Sequence, residues 1–194
     1  MSAGSVARGL AGAAFAMVAV AASAPARAEP IAALTRPPRN ALIADLGLHV
    51  IAGGYQRSLA PWLSAQIVAG LYSPWTQSNN SLGLSPTLKG GDLVGAVVRT
   101  RIFVYPFASA PAGLWISPFT QYGLGWATRD GQKRIGAVGA VGASVGYTLL
   151  LWKHVLAGLG GGLQYHAARI PRGEGPPSFG RLFPQLEIQV GYAF

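Results

Sequence analysis

Three histidines, six carboxylates and two closely spaced arginines hold most of the chemical potential of this 194-residue chain. There is no cysteine, so thiol nucleophiles and a disulfide framework are excluded. His49, His154 and His166 are scattered, as are Glu29, Asp45, Asp92, Asp130, Glu174 and Glu187. No cluster has the spacing of a ligand set, so no metal site and no cofactor is expected. The run "GLGGGLQ" (residues 158–164) imitates a phosphate-cradling loop, but it sits inside a strand pattern rather than before a helix. Its glycines read as residues that make room in a narrow interior or kink a strand. His166 and His49 read as hydrogen-bonding groups of a polar interior, and His154 as a turn residue. What remains is ion pairing. Asp45, Arg99, Arg101 and Glu187 fall in one register of their alternating segments, and charges that share an interior must pair.

The elements that would carry these residues are strands. The last stretch, "LFPQLEIQVGYAF", places Leu186, Ile188, Val190, Tyr192 and Phe194 on one face and Gln185, Glu187 and Gln189 on the other. Similar alternation covers residues 62–75, 92–107, 114–128, 135–149, 155–170 and 181–194, broken by clusters of Gly, Pro, Asn and Asp. The connections alternate between short ones near residues 60, 108–113 and 152–153, and longer or more polar ones at 76–91, 129–134 and 171–180. Short turns on one side and long loops on the other are the pattern of an outer-membrane barrel, with the turns in the periplasm. An even strand count then requires residues 40–59 to be two strands, folded near His49 to Gly54.

Composition agrees. Charged residues are 11% of the chain, about half the usual share, and there are 27 glycines. Beyond the N-terminus no run approaches the roughly 18 apolar residues of a membrane helix, which leaves closed β-structure as the way to cross a bilayer. The formal charge of +9 comes from dispersed Lys and Arg, without the basic run or recognition helix of a nucleic-acid binder. Residues 1–28 have a basic n-region at Arg8, an apolar stretch and an Ala26-Arg27-Ala28 site, and read as a cleaved secretory signal. Residues 29–39, rich in Pro, read as an extended leader, and residues 40–194 as the barrel.

In a membrane barrel the apolar face points at lipid. The opposite faces here carry Gly, Gln, Arg, His, Asp and Glu, a small polar lumen. The five tryptophans, Trp62, Trp75, Trp115, Trp126 and Trp152, fall at strand ends and read as rim girdles, with Trp62, Trp115 and Trp152 on the periplasmic side. At about 3.3 Å per residue and a tilt of roughly 45°, the spans 62–75 and 115–126 cover about 30 and 26 Å, close to the apolar band of such barrels.

On these residues the chain resembles the small eight-stranded outer-membrane barrels of the OmpA/OmpX type. The resemblance covers roughly residues 40–194 and implies an all-β fold, an eight-stranded antiparallel up-and-down transmembrane β-barrel. It also implies that Tyr192 and Phe194 form an assembly signal for the barrel-insertion machinery. Outer-membrane lipid A deacylases share this architecture and place a serine two residues after a histidine. Here "QYHAAR" has Ala168 in that position after His166, so the nucleophile that acyl transfer needs is missing.

The expected protein is therefore a non-enzymatic, monomeric barrel of a Gram-negative outer membrane. Asp45, Arg99, Arg101 and Glu187 would form a lumen ion-pair network in a side-chain-filled interior. Arg129, Lys133, Arg134, Arg169 and Arg172, at the outer rim, would contact lipopolysaccharide phosphates. A narrow pore for small solutes is the main alternative, and a lipid A-modifying enzyme the lesser one.

Overall fold

The computed structural model of the chain describes residues 37–72, 93–107, 110–129, 132–169 and 178–194. Residues 1–36, on which the expected signal and most of the expected leader fall, lie outside them, as do Trp75, Asp92, Asp130, Arg172 and Glu174. Eight strands follow in order: β1 (Asn40–Gly47), β2 (Val50–Ala60), β3 (Leu63–Tyr72), β4 (Leu93–Val104), β5 (Gly113–Arg129), β6 (Gln132–Leu151), β7 (Val155–Arg169) and β8 (Ser178–Ala193). Each pairs antiparallel with the next, and β1 pairs with β8 to close the barrel. This is the eight-stranded up-and-down architecture that the OmpA/OmpX resemblance implies. Closure runs to the last residue: Phe194 N–H donates to the Asn40 carbonyl at 2.8 Å, and Asn40 N–H donates back to the Phe194 carbonyl at 3.1 Å. No sheet edge is left, which is what a bilayer demands of strands.

Two expected connections differ. The first hairpin turns at Leu48 and His49, between Gly47 and Val50, while Gly53 and Gly54 are paired residues inside β2. Gly54 sits there because a Cβ would come within 2.1 Å of the Ile67 carbonyl oxygen on β3, so glycine serves close strand approach rather than a turn. The segment 129–134 is strand almost throughout, with Arg129 paired to Gln132. Strands five and six thus stay paired as far as Arg129 and Gln132 instead of ending in a long loop.

The burial pattern is inverted relative to a soluble barrel. Leu42, Ile67, Leu71, Leu124, Leu159 and Ile188 point outward and are about half exposed, while Asp45, Arg99, Arg101, Gln121, Gln164 and Glu187 are buried inside. Among the described residues, outward-facing charges occur only near strand ends, at Arg57, Lys133 and Arg169. An apolar belt bounded by charges is the exterior of a barrel that spans a bilayer.

Trp115 departs from the expected girdle. It is fully buried and faces the lumen. A Cβ on Gly146 or Gly160 would come within 2.3 Å of its indole, so these glycines open the space the ring occupies. Its Nε1–H donates to Thr148 Oγ1 at 2.9 Å. Position in the strand end is therefore no guide to facing here; the inward register of β5 and two bare positions on β6 and β7 decide it.

Candidate functional site

The lumen is filled in three layers. In the middle, β4 contributes Arg99 and Arg101, two residues apart and so on one face. In a ring of eight, β4 lies across from β8, and β1 is beside β8. Closure therefore brings the two guanidinium groups to Glu187 of β8 and Asp45 of β1. Arg101 makes a two-pronged pair with Glu187, Nη1 to Oε2 at 2.5 Å and Nη2 to Oε1 at 2.6 Å. Arg99 Nη1 donates to Asp45 Oδ2 at 3.2 Å. Cross-distances are longer, 3.7 Å from Arg99 to Glu187 and 3.8 Å from Arg101 to Asp45. The four charges sum to zero and are all buried.

Neighbouring strands complete the shell. Arg99 Nε donates to Gln121 Oε1 at 3.1 Å, and Arg101 Nε donates to Ser117 Oγ at 3.1 Å. Arg101 Nη2 also donates to Ser144 Oγ at 2.7 Å, and Gln185 Nε2 donates to Glu187 Oε2 at 2.7 Å. Arg101 lies over the Phe103 ring at 4.7 Å and near Trp115 at 5.5 Å; Arg99 lies over Phe119 at 5.0 Å. Rings around guanidinium groups exclude water and add a cation–π attraction. Ser117, Gln121 and Ser144 are the partners the sequence reading missed. Their inward register on β5 and β6 was the available signal.

The layers above and below are different. At the end bearing connections 73–92 and 170–177, Val50, Ala52, Val68, Tyr72, Val97, Val138 and Ala168 form an apolar cluster. Tyr72 Oη bonds His166 Nδ1 at 2.8 Å, and the Gln164 amide donates to His49 Nδ1 at 2.8 Å. The two imidazoles sit 4.9 Å apart, and Phe183 closes on His166 edge-on at 5.3 Å. At the end bearing the chain terminus, Phe103, Tyr105, Ala110 and Trp115 cluster, with Gln56 donating to the Tyr105 hydroxyl at 3.2 Å. His154 stands at the β6–β7 turn, its Nδ1 3.1 Å from the Ala193 carbonyl oxygen.

The remaining predicted residues do not meet. Lys133, Arg134 and Arg169 are exposed at the loop end, with Lys133 Nζ 5.6 Å from the Trp126 ring centroid. The Arg129 backbone ends β5 there, and its side chain lies outside the described residues, as does Arg172. Tyr192 and Phe194 face outward, about half exposed, at the opposite end, where Tyr192 stacks on His154. Ala168, where a deacylase would carry its serine, is buried in the apolar layer. Among the described residues no group of three potential metal ligands assembles.

No family model and no curated protein matches the chain. Among solved structures it is similar to the N-terminal β-barrel domain of Pseudomonas aeruginosa OprF, at 13% identity and a TM-score of 0.40, over 80% of this chain and 96% of that one.

Proposed function

We propose that the chain is a non-enzymatic barrel of a Gram-negative outer membrane, with a plugged lumen and a cationic outer rim that contacts lipopolysaccharide. The observation that carries the plug is the buried four-charge layer sealed between an apolar layer and an aromatic one. A solute crossing the lumen must displace all three. The cationic rim rests on Lys133, Arg134 and Arg169, to which Arg129 and Arg172 add by sequence. Guanidinium and ammonium groups bind phosphate through charge-assisted hydrogen bonds. The turn end would face the periplasm, where the Tyr192 and Phe194 signal is presented to the insertion machinery.

The plug is tested by planar-bilayer recording of the whole chain: no steady current is expected from the native sequence, and ohmic current through it would overturn the plug. The rim is tested by neutralising Arg129, Lys133, Arg134, Arg169 and Arg172 together. Lipopolysaccharide co-purification should fall; unchanged co-purification would remove the role.

A narrow pore is the second reading, and one observation favours it. Asp45 Oδ1, Gln121 Nε2, Gln185 Oε1 and Gln189 Nε2 are buried and have no hydrogen-bond partner in the protein. Polar atoms in that state are bridged by water in most proteins. The same recording separates the two readings. An acyl-transfer role has no support in the site, since His166 is engaged by Tyr72 and no hydroxyl stands two residues after it.

A further inference from the structure

The outer layer of the lumen holds two imidazoles in surroundings that suit them only while they are neutral. His49 and His166 are 1% and 0% exposed, and their ring centroids are 4.9 Å apart. Tyr72, which belongs to the apolar cluster with Val68, Val97 and Ala168, bonds His166. Phe183 stands 5.9 Å from the His49 ring and 5.3 Å from the His166 ring. The two imidazoles are carried differently. His166 projects from the strand β7, whereas His49 enters from the two-residue turn between β1 and β2. That turn is fastened to β8 by Leu48, whose N–H donates to the Leu186 carbonyl at 3.0 Å.

The hydrogen bonds of this layer have no place for another proton. A neutral imidazole carries one N–H and a charged one carries two. His166 meets the Tyr72 hydroxyl through Nδ1, while its Nε2 is buried and has no hydrogen-bond partner in the protein. A charged His166 would therefore bury an N–H without an acceptor. His49 accepts from the Gln164 amide through Nδ1, so a proton there would face an N–H donor until Gln164 turned over. Counter-charge is lacking too. The carboxylates among the described residues are Asp45 and Glu187, and both are paired with Arg99 and Arg101 in the next layer. The charged and titratable groups around His166 are His49 from the turn, Tyr72 from β3 and Arg99 from β4; Arg181 of β8 is its partner in register. From β2 and β6 the layer receives Val50, Ala52 and Val138, and from β5 the bare Gly123 beside Val97. A proton taken up here joins cations and meets no anion.

We propose that His49 and His166 form an acid-operated latch on the outer end of the lumen. Neutral, they seal it; protonated, they part, and the β1–β2 turn swings outward. The direction follows from the two states of the rings. An imidazole in water takes up its proton at about pH 6.5. In the open state both rings can do so. In the closed state neither can without burying a lone charge. Closure is therefore complete above that pH and weakens as the pH falls below it. The charged layer beneath needs no such change, so the latch opens the outer layer alone. The inference deepens the plugged-lumen reading and rests on it.

The chain has no cysteine, so single thiols can report the opening. Val68→Cys places one in the outer layer, with Val97→Cys as a second probe of the same layer. Ser64→Cys places one in a buried position near the β2–β3 turn at the opposite end, and Lys133→Cys, exposed, gives the reagent's own pH dependence. Each whole chain, inserted into phosphatidylcholine vesicles and checked by heat-shifted gel mobility, is treated with 4,4′-dithiodipyridine at pH 7.5 and 5.0. Relative to Lys133→Cys, labelling of Val68→Cys should rise at least about 30-fold on acidification, the gain from one imidazole of ordinary affinity that is protonated only when open. Ser64→Cys should stay protected at both pH values. Adding His166→Gln to Val68→Cys should cut the rise, and adding His49→Gln as well should abolish it. An equal rise without the two histidines, or protection of both outer-layer probes at both pH values, would overturn the latch and leave the plug standing. Acid labelling of Ser64→Cys as fast as that of Val68→Cys would mean that the whole barrel opens, and would also overturn the latch. Fast labelling of Val68→Cys already at pH 7.5 would overturn the three-layer plug together with the latch.

Discussion

The charged layer of the lumen and the apolar layer next to it are built from the same strands and the same inward register. Arg99 of β4 is in the first, and Val97, two residues away, is in the second. Yet the layers respond to damage differently. In the charged layer each group is held by partners on other strands, so the loss of one strands another in a low dielectric. In the apolar layer the loss of a methyl group costs only its own contacts and a small cavity. The contrast shows that an inward-facing position in this barrel is not one kind of site. The charge layer fixes which strands face each other; the apolar layer fills and seals.

The sharpest test of that contrast is Glu187→Gln. It leaves Arg101 without its two-pronged partner. Removing one member of a buried pair typically costs about 3–5 kcal/mol, to be read from urea unfolding in lipid vesicles. The same variant should carry larger ion currents than the native chain. If both stability and current stay native, the charged layer is not a plug. Replacing Arg101 by Met and Glu187 by Leu together should recover part of the stability, because no lone charge remains.

Smaller effects refine the comparison. Gly160→Ala places a methyl group against the Trp115 indole that seals the other side of the charged layer. Overpacking of this kind costs about 1–3 kcal/mol, and Trp115→Leu in the same chain should relieve it. A double-mutant cycle measures that relief. Val97→Ala, in the apolar layer, should cost about 1.5 kcal/mol for two buried methyl groups and leave the current at the native level. Thr100→Val, beside Arg99 on the chain but facing outward, loses only its bond to Thr120 at 2.9 Å and should cost about 1 kcal/mol. An effect on Thr100→Val as large as that on Glu187→Gln would mean that facing does not organise the barrel's energetics.

Much of this was legible in the chain. The period of two assigned faces correctly along β3, β4, β7 and β8, because alternation is a local property of extended backbone. Parity of an up-and-down barrel required two strands within residues 40–59, and the structure has them in β1 and β2. The inward register of Asp45, Arg99, Arg101 and Glu187 followed from the same alternation. The turn at Leu48 and His49 was less accessible, since Gly53 and Gly54 look like turn residues until β3 is seen to approach them closely. The long β5–β6 hairpin was hidden for a similar reason: its polar end continues the pairing beyond the apolar belt.

What the sequence determined alone is the facing of side chains and the number of strands, because both depend on spacing along one strand and on turn parity. Tertiary structure decided everything that requires strands distant in sequence. Which guanidinium meets which carboxylate depends on β4 standing opposite β8, which exists only once the ring has closed. Trp115 is inward by the alternation of β5, but its ring fits there because Gly146 and Gly160, on two other strands, leave it space. A bulge at Leu59 on β2 and a break in the β4–β5 ladder at Pro118 likewise depend on how neighbouring strands pair. Alternation sets a direction for each side chain, but only the register between strands sets its neighbours.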